Sequence, residues 1–252
     1  MLGINSTICI AGKNKCAIDA LLHVKKKYKK YKLLALPNKS DNSRDGWQKS
    51  FKKFAKKQKI KITNLNELYK IRNLFFFSLE YEEILNINKF KSNQLFNLHF
   101  SLLPKYRGCH TNFYQIYFGE KKSGVTLHKI ETGIDDGKII DTISFKITKN
   151  ATAYDNYINL LNKSVTLFKK NIKNILNNNY QLKKQNLKKG TYFSRSSVDY
   201  NKLSNIKLIK NNLNDHNKIR SLIFPPFQLP IYNGKKIKKS YYVNKKIKLI
   251  FI

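Results

Sequence analysis

Short apolar runs alternate along this chain with longer amphipathic segments, and this alternation limits the fold more than any other feature. The runs STICIAG (6–12), NLFFFSLE (73–80) and QLFNLHF (94–100) have the length of strands, whereas AIDALLHVKKKYK (17–29) has the spacing of a helix. Strands that are separated by crossover helices form parallel sheets. The pattern therefore predicts an α/β fold with a mostly parallel sheet.

The same alternation continues to about residue 179. It predicts further strands at 31–38, 123–131 and 138–147, and further helices at 45–58, 111–120 and 151–179. Beyond that point the chain is rich in lysine and short of helical periodicity, which indicates turns, hairpins and a final strand. We therefore expect a main domain at 1–180 and a small, hairpin-rich C-terminal region at 181–252.

Charge and cysteine content narrow the class of protein. Lys and Arg number 50 against 15 Asp and Glu, and a formal charge of +35 attracts phosphates, nucleic acid or anionic membrane surfaces. The basic residues are spread along the chain, so a coding bias toward Lys, Asn and Ile is the simpler explanation and no nucleic-acid partner is expected. Three irregularly spaced cysteines and the lack of a long apolar run predict a cytoplasmic protein without a membrane partner.

Two polar side chains interrupt the apolar strand at 94–100. Asn97 and His99 are two residues apart, so both point to the same face of that strand. Further along, Asp135 and Asp136 lie between two predicted strands, and one of these carboxylates could orient His99 for proton transfer at a carbonyl. A hydrogen-bonded core histidine and an Asp-Gly hairpin turn explain the same residues without any chemistry.

The block NLHFSLLPKYRG followed by SGVTLHKIETGIDDGKII resembles the paired signature of the folate-dependent formyltransferases, in order, spacing and residue type. The resemblance implies a Rossmann-like core that passes the formyl group of N10-formyltetrahydrofolate to an amine, without a metal. It places the three catalytic residues of the family on Asn97, His99 and Asp135. It also suggests structural support for His128. Phe100 stands where the family usually has Pro, which leaves that turn more dependent on packing.

The resemblance also implies binding residues. The pterin-binding region of the family falls on FFFSLEYEEIL, which gives the cofactor-binding candidates Ser78, Leu79, Glu80 and Tyr81. Two further stretches, LPKYRGCHTNFYQIYFGE and IRSLIFPPF, are most similar to the enzymes that formylate nucleotide-linked amino sugars. The candidate substrate contacts, which include possible stacking surfaces, are Arg107, Asn112, Phe113, Trp47 and Phe224.

These resemblances predict a sugar N-formyltransferase that acts on a dTDP-linked amino-dideoxyhexose of the kind built into bacterial O-antigen and lipopolysaccharide. The preferred acceptor is the C4 amine of dTDP-4-amino-4,6-dideoxyglucose, followed by a C3 amine and then by methionyl-tRNA. Related sugar enzymes also lead us to expect a homodimer that pairs through the C-terminal region. A hypothesis from another class is a basic nucleic-acid-binding protein on an inactive scaffold of this family.

Overall fold

The computed structural model describes residues 6–207 and 209–252. The described chain forms two compact units, each built from three separate stretches. The first unit comprises the residues up to His99 together with Val125–Ile143 and Leu161–Lys188. The second comprises Phe100–Gly124, Ser144–Leu160 and the residues from Lys189 onward. The expected boundary between 180 and 181 stays a prediction.

Strands and helices alternate through most of the chain. The strands are β1 (Thr7–Gly12), β2 (Lys32–Pro37), β3 (Lys61–Ile62), β4 (Leu74–Leu79), β5 (Leu95–His99), β6 (Arg107–Gly108), β7 (Lys122–Lys129), β8 (Ile139–Lys146), β9 (Tyr192–Phe193), β10 (Asn205–Ile206), β11 (Ile231–Tyr232), β12 (Lys235–Val243) and β13 (Lys246–Phe251). The α-helices are α1 (Asn14–Lys27), α2 (Phe51–Lys57), α3 (Leu65–Tyr69), α4 (Thr111–Tyr117), α5 (Ala153–Leu176), α6 (Tyr200–Ser204) and α7 (Leu213–Leu222).

Seven strands form the large sheet, in the order β3-β2-β1-β4-β5-β7-β8. Neighbouring strands from β3 to β5 run parallel, whereas β7 is antiparallel to β5. The predicted α/β fold with a mostly parallel sheet is therefore confirmed. The register places Asn97 between Ser78 on β4 and His128 on β7, and this pairing positions the polar residues described below.

The core of the first unit follows directly from the apolar runs. Every residue of β1 and β4 is buried, as expected for central strands that are covered on both faces. The ring of Phe77 stacks on Phe96 with 5.2 Å between centroids and meets Phe168 edge-on at 5.1 Å. Aromatic contacts of this kind hold β4, β5 and α5 together.

Helix α2 begins later than predicted. The expected helix at 45–58 was wrong at its start, because the chain becomes helical only at Phe51. The Ser50 hydroxyl accepts a hydrogen bond from the Lys53 amide at 3.0 Å and so caps the helix. Trp47 therefore lies in the preceding loop rather than on an amphipathic helix, and it is 41% exposed.

The second unit contains the small sheet β10-β11-β12-β13, in which β12 and β13 form the predicted antiparallel hairpin. The expectation of a region without helices was wrong at the short helix α6 and at the longer helix α7. The buried side chains of α7 are largely polar, so its sequence shows no apolar periodicity: His216, Asn217, Arg220 and Ser221. Arg220 donates to Asn217 Oδ1 and to Ala151 O, which satisfies the buried guanidinium within the unit.

Within residues 6–207 and 209–252, no helix is both long enough and apolar enough to cross a membrane.

Candidate active site

Neighbouring strands bring the amide of Asn97 to the imidazole of His128. Alternation along β5 places Asn97 and His99 on one face, and the β5–β7 register sets His128 directly opposite Asn97. The Asn97 Nδ2 atom lies 3.2 Å from His128 Nε2. The structure therefore adds His128, for which the sequence suggested only structural support, to the polar cluster.

Asp135 completes this cluster. The loop after β7 folds back so that the carboxylate meets three side chains of β5 and β7. Asp135 Oδ1 accepts from Asn97 Nδ2 at 3.1 Å and lies 3.5 Å from His128 Nε2, and Oδ2 lies 3.3 Å from His99 Nδ1. Of the three residues that the resemblance marks as catalytic, Asn97 and His99 are thus each within hydrogen-bonding reach of the Asp135 carboxylate.

The turn that carries Asp135 has an unusual backbone. Asp135 has φ of 53°, in the left-handed region that non-glycine residues adopt rarely. A Cβ atom on Gly137 would stand 1.9 Å from Lys129 O, so this position requires glycine. The Gln185 amide donates to both Asp135 O, at 3.0 Å, and Gly137 O, at 2.7 Å.

Hydrogen-bond partners define the tautomers of the two histidines. His128 Nδ1 lies 2.7 Å from Lys129 O, and because a carbonyl only accepts, Nδ1 carries the hydrogen and Nε2 can accept from Asn97. His99 Nδ1 faces the Asp135 carboxylate and by the same logic donates to it. The lone pair of neutral His99 is then on Nε2, which can take up a proton. Both rings are buried.

The predicted cofactor-binding segment lies at the carboxyl end of β4, beside the Asn97 strand. Ser78 and Leu79 end this strand, and Glu80 follows with φ of 60°. Leu79 O accepts from the Lys13 amide at 3.3 Å, and Glu80 O accepts from Asn38 Nδ2 at 3.0 Å. Burial, reinforced by a hydrogen bond that its hydroxyl donates to Glu83, raises the pKa of Tyr81.

Two buried acceptor oxygens near these segments have no hydrogen-bond partner in the described part of the chain. They are Asn38 Oδ1, whose amide nitrogen bonds Glu80 O, and Asp136 Oδ1, next to Asp135. Buried polar atoms are normally paired, so each of these oxygens can accept from a ligand or a water molecule. The described ranges contain no group of three or more His, Cys, Asp or Glu side chains that could hold a metal ion.

The predicted substrate contacts fall in both units. Trp47 belongs to the first, and the other four belong to the second. Arg107 lies on β6 with its Nε atom buried and without a partner among the described residues, and Asn112 Nδ2 contacts Ala153 O at 3.4 Å. Phe224 is buried but stacks on Phe227, which is 70% exposed.

Phe113 is buried in the core of the second unit. It is 2% exposed, and its ring packs against the rings of Tyr114, Tyr117 and Tyr200. Its contact with a sugar stays a prediction.

A model of the formyl transferase family matches residues 13–172, which is more than half of the chain. The chain belongs to the formyltransferase family. The resemblance that the sequence motifs indicated is therefore confirmed, and the Asn97, His99 and Asp135 cluster lies in the matched range.

Solved structures extend the similarity over nearly the whole formyltransferase chain. WlaRD, a sugar 3N-formyl transferase solved in the presence of dTDP and 5-N-formyl-THF, is 45% identical, with a TM-score of 0.90 over 95% of this chain and 87% of that one. The N-formyltransferase from Helicobacter canadensis, in complex with folinic acid and dTDP-3-aminofucose, is 44% identical, with a TM-score of 0.88 over 94% of this chain and 87% of that one.

Curated relatives match a smaller part. The bifunctional polymyxin resistance protein ArnA of Wigglesworthia glossinidia brevipalpis is 38% identical over 140 residues, which are 51% of this chain and 21% of that protein. The methionyl-tRNA formyltransferase of Clostridium perfringens is 31% identical over 157 residues, 62% of this chain. This formyltransferase chain spans about a fifth of the first relative and about half of the second.

Proposed function

We propose that this formyltransferase transfers the formyl group of N10-formyltetrahydrofolate to the C3 amine of a dTDP-linked amino-dideoxyhexose. The observation that carries the proposal is the cluster in which Asn97, His99 and His128 each lie within 3.5 Å of the Asp135 carboxylate. Such a cluster provides a base, the carboxylate that orients it and an amide donor in one place, which is what formyl transfer to an amine requires.

The residues at the end of β4 fit the formyl donor. A pterin ring presents N–H groups, and Asn38 Oδ1 and Asp136 Oδ1 are buried acceptors that lack a partner among the described residues. We assign the donor to these two oxygens and to the segment of Ser78, Leu79, Glu80 and Tyr81. When bound, N10-formyltetrahydrofolate supplies the formyl carbon that the amine attacks.

His99 is the proton acceptor in this proposal. Its Nδ1 hydrogen points at Asp135, so Nε2 can take the proton that the attacking amine loses. The Asp135 carboxylate then stabilises the imidazolium and keeps its ring orientation. The imidazolium holds that proton for the departing nitrogen.

Asn97 is the donor to the formyl oxygen, where negative charge develops. Its Nδ2 atom carries two hydrogens, which face Asp135 Oδ1 and His128 Nε2. For this role one hydrogen leaves its present acceptor when the substrates bind. His128 Nε2 is the better candidate to release it, because a hydrogen bond to a neutral acceptor is weaker than one to the Asp135 carboxylate.

The nucleotide part of the substrate is assigned to residues of the second unit. Arg107 has a buried Nε hydrogen without a partner in the described chain, and a guanidinium is well suited to a diphosphate. The exposed ring of Phe227, stacked on Phe224, offers a face for a base or a sugar. The net charge of +35 favours the approach of such an anion.

The choice of C3 rests on the two relatives at 44% and 45% identity, one a sugar 3N-formyl transferase and the other in complex with dTDP-3-aminofucose. The sequence-based preference for the C4 amine stays a prediction. A role in O-antigen or lipopolysaccharide synthesis, a cytoplasmic location and a homodimer are parts of the same proposal. Nucleic acid is not among the partners that we propose.

A parallel assay tests the substrate. The purified protein and N10-formyltetrahydrofolate are incubated with a dTDP-3-amino-3,6-dideoxyhexose, with dTDP-4-amino-4,6-dideoxyglucose and with methionyl-tRNA, and the formylated product is measured by mass spectrometry. We expect kcat/KM for the 3-amino sugar to exceed the others by at least about 100-fold.

Other results of this assay would change the proposed substrate or the proposed function. A preference for the 4-amino sugar would replace C3 by C4 and leave the sugar N-formyltransferase assignment intact. Turnover of methionyl-tRNA alone would overturn that assignment. Binding of tRNA that weakens steeply with salt, without turnover of any amine, would support the nucleic-acid-binding alternative.

A further inference from the structure

Gln185 lies outside both sequence blocks that resemble the family signature, yet its side chain holds the turn that carries Asp135. Gln185 Nε2 is 3.0 Å from Asp135 O and 2.7 Å from Gly137 O. Carbonyl oxygens only accept, so both amide hydrogens point at the turn. Gln185 is 8% exposed, and water therefore competes little for these two bonds.

The other end of the same amide is unpaired. Gln185 Oε1 is buried and has no hydrogen-bond partner in the described ranges. An unpaired buried acceptor is unfavourable, and an amide that served only stability would be expected to pair at both ends. The orientation is therefore determined by the two carbonyls of the turn.

The turn needs such a restraint because its geometry is demanding. Asp135 has a left-handed backbone, and Gly137 approaches Lys129 O closely. The carboxylate must also keep two donors in place, Asn97 Nδ2 at 3.1 Å and His99 Nδ1 at 3.3 Å. A small rotation of the turn would separate Asp135 from His99.

The segment before Gln185 is itself anchored. Lys183 forms an isolated antiparallel bridge with Ile139, and the two backbone hydrogen bonds are both 2.8 Å long. Ile139 begins β8 directly after the turn. The chain that follows α5 is thereby attached to the start of β8, which positions Gln185 over the carbonyls of Asp135 and Gly137.

We propose that Gln185 is a positioning residue for formyl transfer, which acts by holding the Asp135 turn so that its carboxylate orients His99. The proposal rests on the proposed function, in which His99 takes the proton from the amine. It assigns to the chain after α5 a role at the reacting residues of the first unit.

The test uses two nearly isosteric variants. Gln185→Met removes both donated bonds, and Asn171→Leu is the matched control, because the Asn171 amide also donates two bonds, to Asp141 Oδ2 at 2.8 Å and Leu167 O at 2.9 Å. We expect Gln185→Met to lower kcat about 10- to 100-fold with KM for both substrates within about twofold. Asn171→Leu should lower Tm and leave kcat unchanged.

Hydrogen exchange monitors the backbone of the Asp135 turn independently of catalytic activity. The peptide that covers residues 131–138 should exchange faster in Gln185→Met than in the wild type and in Asn171→Leu. If Gln185→Met does not fold, Gln185→Ala replaces it, because the shorter side chain also removes both donated bonds and introduces no charge. The same kcat loss is then expected.

The outcomes separate this proposal from the proposed function. A wild-type protein that formylates no amino sugar contradicts the proposed function, while the exchange comparison still reports whether Gln185 holds the turn. A Gln185→Met protein with wild-type kcat, or with unchanged exchange at 131–138, overturns the positioning role. Equal effects of Gln185→Met and Asn171→Leu on kcat would also overturn it.

Discussion

Asp135 has the densest set of contacts in the cluster, since one carboxylate faces an amide and two imidazoles. Its side chain is 12% exposed, so the negative charge acts on His99 and His128 with little screening by water. In the proposed mechanism, Asp135 therefore acts at the step in which His99 takes up a proton.

Replacing the Asp135 carboxylate by an amide of nearly the same shape tests the contribution of its charge. Asp135→Asn keeps an oxygen that can accept from His99 Nδ1 but removes the charge that stabilises the imidazolium. We expect kcat to fall about 100-fold or more, with Tm little changed. The control is Asp141→Asn, which removes another half-buried carboxylate of the first unit, paired with Lys170 at 2.8 Å, and should retain kcat. Equal activity of both variants would contradict the proposed role.

Sequence alone identified the members of this site unevenly. Asn97, His99 and Asp135 are polar residues in or beside apolar strands, and the match to two signature blocks singled them out. Gln185 has no such signal, because a lone glutamine in a lysine-rich segment carries no local pattern. Its role depends on a contact with residues about 50 positions earlier, which only the folded chain reveals.

At the scale of elements, central strands were the most predictable parts. The six predicted strands at 6–12, 31–38, 73–80, 94–100, 123–131 and 138–147 each agree with the structure to within two residues at both ends. For β1 and β4 the reason is burial, because a strand that is covered on both faces must be a continuous apolar run. Helix α7 was missed because its buried face contains His216, Asn217 and Arg220, whose hydrogen bonds replace apolar contacts. Hydrophobic periodicity cannot detect such a helix.

His216 makes the packing of α7 sensitive to pH. Its Nδ1 lies 2.9 Å from Ser240 Oγ and its Nε2 lies 3.3 Å from Lys149 O. Burial lowers the pKa of His216 from 6.5 to about 4, and the charges of Arg220 and Lys149 act in the same direction. The folded state therefore favours the neutral ring, whereas the unfolded chain binds a proton below about pH 6.5.

Acidification should therefore destabilise the folded protein through His216. Between about pH 6.5 and pH 4 the unfolded state binds more protons than the folded state. The contribution of His216 to the free energy of unfolding is complete above pH 6.5 and decreases by up to about 3 kcal/mol as the pH falls to 4. Denaturant unfolding of the wild type and of His216→Gln at pH 7.5, 6 and 5 measures it. The variant should lose less stability on acidification than the wild type, and parallel pH profiles would contradict the assignment.

At the scale of the whole molecule, the small sheet ends in an edge strand that can pair with a strand of a second subunit. β13 is the last strand in the order β10-β11-β12-β13, and the side chains of Val243, Ile250 and Phe251 at this hairpin are exposed. Apolar side chains along an unpaired strand edge favour association with another strand. These features support the proposed homodimer through the C-terminal hairpin.

Charge determines how such a dimer should respond to salt. The hairpin has lysines at 235, 236, 238, 239, 245, 246 and 248, and residues 216–252 contain no Asp or Glu, so pairing two hairpins brings like charges together. Salt at about 0.3 M screens this repulsion, and the dimer should therefore become tighter than at about 0.05 M, unlike an interface held by ion pairs. Light scattering at several concentrations measures the dissociation constant.

A substitution at the strand edge tests which surface pairs. Ile250→Lys places a further positive charge among the exposed apolar side chains of β13 and removes apolar area from the interface, so we expect a monomer at concentrations where the wild type is a dimer. Leu22→Lys, at an exposed apolar position on α1, is the control and should remain a dimer. Ile250 is not among the residues proposed for catalysis or binding, and the Ile250→Lys monomer is therefore expected to retain its kcat. A wild-type protein that is monomeric at every salt concentration would contradict the dimer, and dissociation of both variants would place the interface elsewhere.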